Sequence, residues 1–193
     1  MCSRGLKIFL VVSLLFLATV FTAIVVLFFT ILKPRDPVIT LHLVDFQHFQ
    51  LSDSFLYKLT KNSNISLQTV ISMKNPNYGS FKYGNSSGYV KFHDMIVGVI
   101  PIKGDLIPAR SQINMNTSIN LMLGKLVNAY EFLSDFANGT LNLRSRFILR
   151  GKACMLKIIK LKTRTYTACK ISLKLPYNKE VNSICKSKLQ FDL

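Results

Sequence analysis

Acidic side chains are scarce in this chain: nine Asp and Glu stand among 193 residues, against 25 Lys and Arg. Paired carboxylates of the kind that share acid and base work in glycoside hydrolysis are therefore hard to assemble, and no acidic cluster resembles a calcium loop. Histidine is limited to His42, His48 and His93, and tryptophan is absent. His42 and His48 flank Asp45 six residues apart. On one strand that spacing puts them about 20 Å apart, too far to share a ligand without a bend. A Cys154–His93 dyad has no local support, and surface or capping histidines are the better reading. The four cysteines (Cys2, Cys154, Cys169, Cys185) show no C-x-x-C spacing, which argues against a structural metal site. Gly98 and Gly104 do not form a phosphate-cradling run after a strand. No enzyme chemistry, cofactor or metal is expected.

Charge is also missing from one long stretch. Ile8 to Leu32 (IFLVVSLLFLATVFTAIVVLFFTIL) holds 25 consecutive uncharged residues. A helix over that run, at about 1.5 Å per residue, exceeds the roughly 30 Å hydrocarbon core of a bilayer. Ser13, Thr19, Thr22 and Thr30 can satisfy their hydroxyls on the helix backbone. A cleaved signal peptide is the alternative, but its apolar region is usually shorter and ends at small residues, whereas this run exits into Lys33-Pro34-Arg35. The expectation is a retained single-pass anchor: a short cytosolic tail over 1–7, a transmembrane helix over 8–32 and an exported domain over 33–193.

Basic flanks barely orient the anchor, since Arg4 and Lys7 precede it and Lys33 and Arg35 follow it. Four N-x-S/T sequons fall after it, at Asn64, Asn85, Asn116 and Asn138, as expected of a lumenal or extracellular domain. The reading is amino terminus in the cytosol and carboxyl terminus outside. Cys2, just ahead of the span, is then a candidate for S-acylation. Cys154, Cys169 and Cys185 fall in the exported part, where at most one internal bridge can form. Cys169 and Cys185 lie in two successive strand-like segments and are the favoured pair; three reduced thiols remain the alternative.

From Asp36 onward the chain holds 21 of the basic residues and all nine acidic ones, a net charge of +12. Between Asp135 and Glu180 no acidic residue occurs, while ten basic ones lie from Arg144 to Lys174. Such a field attracts anionic lipid or acidic polysaccharide, and export behind an anchor argues against nucleic acid. A solubilising face with no specific partner is the plainer reading of the same charge.

Strand signals dominate the exported part. Ile65, Leu67, Thr69, Ile71 and Met73 alternate with polar neighbours until Asn75-Pro76-Asn77-Tyr78-Gly79 forces a turn. Met95, Val97 and Val99 read as a short strand ending at Pro101. Ile113, Met115, Thr117, Ile119, Leu121 and Leu123 alternate against Gln112, Asn114, Asn116, Ser118 and Asn120. Leu141, Leu143, Phe147 and Leu149 alternate against Asn142, Arg144, Arg146 and Arg150, so one outward face is a row of arginines. Thr167, Cys169, Ile171, Leu173 and Leu175 repeat the pattern with Lys170 and Lys174 outward. Only Leu126, Tyr130, Leu133 and Phe136-Ala137 recur at helical spacing, predicting one amphipathic helix between Gly124 and a left-handed cap at Gly139. Many short strands and one helix, without βαβ alternation, point to an antiparallel β-sandwich.

The block Asn75-Pro76-Asn77-Tyr78-Gly79-Ser80-Phe81-Lys82-Tyr83-Gly84-Asn85-Ser86-Ser87 resembles the N-P-N-x-x-S-F-x-Y-x-N-S block of plant late embryogenesis abundant group-2 proteins, and more narrowly the membrane-anchored NDR/HIN-like branch of the WHy-domain group. The resemblance continues through Ile107-Pro108-Ala109-Arg110, Asn116-Thr117-Ser118 and Gly139-Thr140-Leu141-Asn142-Leu143. It ends with Gly151-Lys152, Ile158-Ile159-Lys160 and Cys185-Lys186-Ser187-Lys188-Leu189, and so spans nearly the whole chain. It implies a fibronectin-III-like sandwich with one helix behind a single span, usually at the plasma membrane, with glycosylation in several members and roles in responses to pathogens or to drought and osmotic stress. It implies no catalytic residues. Two departures stand out. Many relatives carry long proline-rich tails where seven residues precede the span here, and Cys154 takes a position that is commonly apolar, which assigns it to the core.

The leading expectation is a plasma-membrane protein of plant defence or stress response that acts by binding, in membrane–wall adhesion or signalling. Its basic face Arg144, Arg146 and Arg150 would meet anionic wall polysaccharide, anionic lipid or another membrane protein. A tethered lipid-binding or lipid-transfer module is the second reading, to be told by an apolar pocket. A stress protectant is the third, disfavoured by a half-apolar composition that suits folding better than disorder.

Overall fold

The computed structural model describes residues 3–31, 33–44, 64–155, 159–174 and 181–192. Cys2 and His48 lie outside them. Two compact units result, Met1–Pro34 and Arg35–Leu193.

The first unit is helix α1, Ser3–Ile31. Its segment Gly5–Leu27, 23 residues with mean hydropathy 2.9, is long and apolar enough to cross a membrane. The hydroxyls of Thr19, Thr22 and Thr30 donate to the carbonyls of Phe16, Ala18 and Val26 at 2.8, 2.9 and 2.7 Å, so these side chains add no unpaired polar group to an apolar rod.

The second unit is mainly antiparallel β: β1 (Val38–Leu43), β2 (Asn64–Lys74), β3 (Ser80–Tyr83), β4 (Ser86–Phe92), β5 (Met95–Ile102), β6 (Leu106–Ile107), β7 (Gln112–Met122), β8 (Thr140–Met155), β9 (Ile159–Lys174) and β10 (Val181–Phe191). Hydrogen bonds connect β1-β2-β7-β5-β4-β8, and β8 continues to β9 and β10. The far edge of β10 returns to β1, where Ser183 Oγ donates to the Leu41 carbonyl. The sheet is thus barrel-like and its strands enclose the core. β8 carries much of this connectivity: its first half pairs with β4, its second half with β3, and its whole length with β9. Gly151 lies where β3 crosses, and a Cβ there would sit 2.2 Å from the Lys82 carbonyl oxygen, so only glycine admits the approach.

Period two decides which side chains face inward. Leu67, Ile71 and Met73 on β2, Met115, Ile119 and Leu121 on β7, and Leu141, Leu143, Phe147 and Leu149 on β8 are all buried. Each such side chain contributes on the order of 1.5–3 kcal/mol by leaving water. β5 does not keep a strict period of two. A register shift between Val90 and Lys91 of β4 makes Val97 a bulge, so Val97, Ile100 and Ile102 turn inward while Met95 and Val99 turn out.

The segment after β7 also departs from expectation. Two short helices form, α2 (Leu123–Val127) and α3 (Phe132–Ala137), in place of one. The break after Val127 shifts the helical phase. Leu126, Ala129 and Phe132 become buried, with Phe132 edge-on to Phe92 at 6.4 Å, whereas Tyr130 and Leu133 are 96% and 71% exposed. Gly139 does adopt the left-handed conformation, at φ 73°.

Tyr83 is buried, and its hydroxyl has no hydrogen-bond partner among the described residues. Burial, with the Asp105 carboxylate second, raises its pKa from 10.0 to about 12. Between those values the unfolded chain loses the proton first, so native stability holds below pH 10 and falls as the pH rises, by about 2 kcal/mol. Tyr83→Phe is expected to abolish this alkaline loss, and to remove one late-ionising phenol of the seven from an ultraviolet titration. An unchanged titration in the variant would refute the assignment.

Candidate functional site

The arginine row occupies the outer face of β8. Arg144, Arg146 and Arg150 are exposed while the alternating Leu143, Ser145, Phe147 and Leu149 are buried. Register extends this row into a wall. Lys91 of β4 stands opposite Arg144, which stands opposite Lys170 of β9. Arg150 faces Arg164 on β9, and Lys82, Lys152 and Lys162 form a third row across β3, β8 and β9. Lys186 and Lys188 on β10 extend the surface beside Ala168 and Tyr166. Neighbouring strands are about 4.8 Å apart, and like charges directly opposed across a ladder destabilise it. Compensation is sparse: among the described residues the ion pairs are Arg164 Nε to Asp192 Oδ2 at 2.8 Å and His93 Nε2 to Asp135 Oδ2 at 3.3 Å. The Tyr166 side chain, and then Asp192, hold Arg164 firmly in its charged form.

The opposite face of the barrel is nearly neutral. Thr40 and His42 on β1, Ser66, Gln68 and Ser72 on β2, and Asn114, Ser118 and Asn120 on β7 point outward, with Lys74 the basic exception on those strands. The sequons Asn64 and Asn116 lie on this neutral face and are exposed. Asn138 is exposed at the end of α3. Asn85 is exposed in the β3–β4 turn, where its Oδ1 accepts from the Gly104 N–H at 2.7 Å. Asn85 shares a groove of about 330 Å³ with Tyr89, Arg146 and Arg150, so a glycan there would shade part of the cationic wall.

Cys169 and Cys185 stand opposite each other on β9 and β10 and are joined by a disulfide. Cys154 is a free thiol and half-exposed. This corrects its assignment to the core: on a strand with unbroken register from Thr140, position 154 shares the outward parity of Arg150 and Lys152. Replacing Cys169 and Cys185 together with serine opens a loop of 16 residues. A loss of about 3 kcal/mol is expected, and with it a fall of about 10 °C in Tm. Thermal unfolding with and without reductant checks it; an unmoved midpoint would refute it.

The N-P-N block and the Pro-Ala-Arg block meet in space. Asn75 is buried; its Nδ2 donates to the Gly79 and Pro108 carbonyls at 2.8 and 3.1 Å, and its Oδ1 accepts from the Asn77 N–H at 3.0 Å. Asn77 clamps the backbone of Arg35, accepting from its N–H at 2.6 Å and donating to its carbonyl at 2.8 Å. The Arg110 guanidinium lies 3.9 Å from the Tyr78 ring centroid. The amides of Asn75 and Asn77 are spent on backbone partners, which makes their role structural.

Three groups of residues escaped the sequence reading. Lys82 and Lys91 sit on short strands whose neighbours were unknown, and Arg164, Lys186 and Lys188 carry the outward period-two signal without a mate. Asp94 and Asp135 gave no local signal at all, yet with His93 they border a groove of about 600 Å³ over Arg144 and Lys170. Among the described residues, no three His, Cys, Asp or Glu side chains are placed to hold a metal ion. No family model matches the chain, and no curated protein matches it. A crystal structure of a protein from Archaeoglobus fulgidus is similar over 82% of this chain and 98% of its own length, at 9% identity and a TM-score of 0.38, a likeness too slight to speak for function.

Proposed function

We propose that this chain is a single-pass membrane protein, amino terminus in the cytosol, whose β unit is displayed outside the plasma membrane and works by binding an anionic polymer, not by catalysis. The observation that carries this reading is the set of same-sign rows Lys91–Arg144–Lys170, Arg150–Arg164 and Lys82–Lys152–Lys162. Such rows act against the stability of the ladder, and an anionic partner gives them a use. The apolar α1, the exposed sequons and the Cys169–Cys185 disulfide favour an exported setting. Resemblance to the NDR/HIN-like branch of the late embryogenesis abundant group-2 proteins adds the context of plant defence or abiotic stress, and makes demethylated wall polysaccharide a fitting partner for membrane–wall adhesion. A lipid carrier would need an apolar cavity, whereas inward positions hold bulky packed side chains such as Phe92, Phe147, Ile71 and Leu149.

Two measurements on the full chain test the proposal. Expressed in microsomes, it should lose mobility shifts on glycosidase treatment; a sugar-free chain open to protease added outside would refute the orientation. Reconstituted in nanodiscs, it should bind immobilised polygalacturonate and elute as salt rises, because screening shortens from about 8 Å at physiological ionic strength to about 3 Å at 1 M. Salt-insensitive retention would sink the electrostatic mechanism.

A further inference from the structure

We propose that the groove at the helical end of the cationic wall is a selective site for uronic-acid residues of an acidic oligosaccharide; this rests on the polyanion reading above and narrows it to one ligand class. The groove holds about 600 Å³, within the range of roughly 300–1,000 Å³ common for small-molecule sites. Its floor is the outer surface of β8 and β9, where Arg144 stands opposite Lys170 and Asn142 opposite Ser172. Its rim is the β4–β5 turn and α3, which contribute Asp94 and Asp135. His93, in the left-handed region at φ 47°, ties the two parts of the rim together through Asp135 at 3.3 Å.

Opposite charges line this groove without neutralising one another. Asp135 pairs with His93, and neither rim carboxylate forms an ion pair with Arg144 or Lys170. Asn142, which lines the groove, accepts from Ser172 Oγ at 2.9 Å through its Oδ1, and its amide nitrogen is the side chain's donor. A surface built only to attract a polyanion gains nothing from carboxylates at its edge, since they repel the ligand. A hexuronate ring satisfies both sets. Its carboxylate meets Arg144 and Lys170 as a charge-assisted acceptor, and its ring hydroxyls donate to Asp94 and Asp135. The amide of Asn142 serves a hydroxyl or ring oxygen between them.

The sign of one substitution separates this site from bulk attraction. Asp135→Ala removes one negative charge, so a non-specific surface would hold an anion more tightly. The fitted site loses an acceptor and is expected to bind a galacturonate trimer at least tenfold more weakly by calorimetry on the deglycosylated full chain. Asn142→Ala leaves the charge unchanged and sits on the rigid β8, so it serves should Asp135→Ala disturb α3; about fivefold weakening is expected. The methyl-esterified trimer should bind at least tenfold more weakly than the acid, and inositol monophosphate or free glutamate should not displace it. Tighter binding by Asp135→Ala, indifference to Asn142→Ala, or equal binding of the ester would overturn the inference. Unmodified protein that holds polygalacturonate but not the trimer would overturn it while leaving the wall reading intact. Failure to hold either would remove both.

Discussion

Replacing Arg144, Arg146 and Arg150 together with alanine is expected to weaken retention on polygalacturonate about a hundredfold at physiological salt. Each basic residue close to an anionic surface is worth about 1 kcal/mol, so three remove about 3 kcal/mol, or two orders of magnitude in affinity. The same variant should fold as well as the parent or better. Arg144 is opposed by Lys91 and Lys170, and Arg150 by Arg164, so alanine relieves cross-strand repulsion. The Arg164–Asp192 pair is untouched. Loss of binding with an unchanged or raised Tm assigns the row to recognition. Undiminished retention would show that the charge merely keeps the surface soluble, and loss of binding together with a lowered Tm would point to a damaged fold. If Asn85 carries a glycan, Asn85→Gln should strengthen retention, because that residue shares the groove of Arg146 and Arg150.

Asn75→Ala is expected to cost about 3–5 kcal/mol, a large part of the stability of an ordinary domain. The side chain supplies two donated hydrogen bonds and one accepted one in a buried position. Alanine strands the Gly79 and Pro108 carbonyls and the Asn77 N–H together. Asn75→Asp should be no milder, since it turns a carboxylate oxygen toward two carbonyl oxygens. Asn77→Ala, whose clamp on Arg35 is more exposed, should cost about 1–2 kcal/mol. Denaturant unfolding gives these differences directly, and an Asn75→Ala variant within 1 kcal/mol of the parent would contradict the assigned role.

Individual strand faces were legible because alternation records each strand's own exposure to core and water. The outward arginines of β8 and the inward Thr167, Cys169, Ile171 and Leu173 of β9 follow from it. The bulge on β5 was not legible because it adds a residue without changing composition. The helical segment was misread because Tyr130 and Leu133 mimic an apolar stripe that the break after Val127 turns to solvent.

The amino-acid order alone determined an apolar rod at the front, alternating strands behind it, four sequons and a basic excess. Each is a property of residues near one another along the chain, set by local periodicity and composition. Tertiary structure alone decided that Lys82, Lys152 and Lys162 share one row, that Asn75 meets Pro108, and that Asp135 overlooks Arg144 and Lys170. Those neighbours are far apart in sequence, and their meeting depends on strand order, register and the closing of β10 onto β1, which local pattern does not encode.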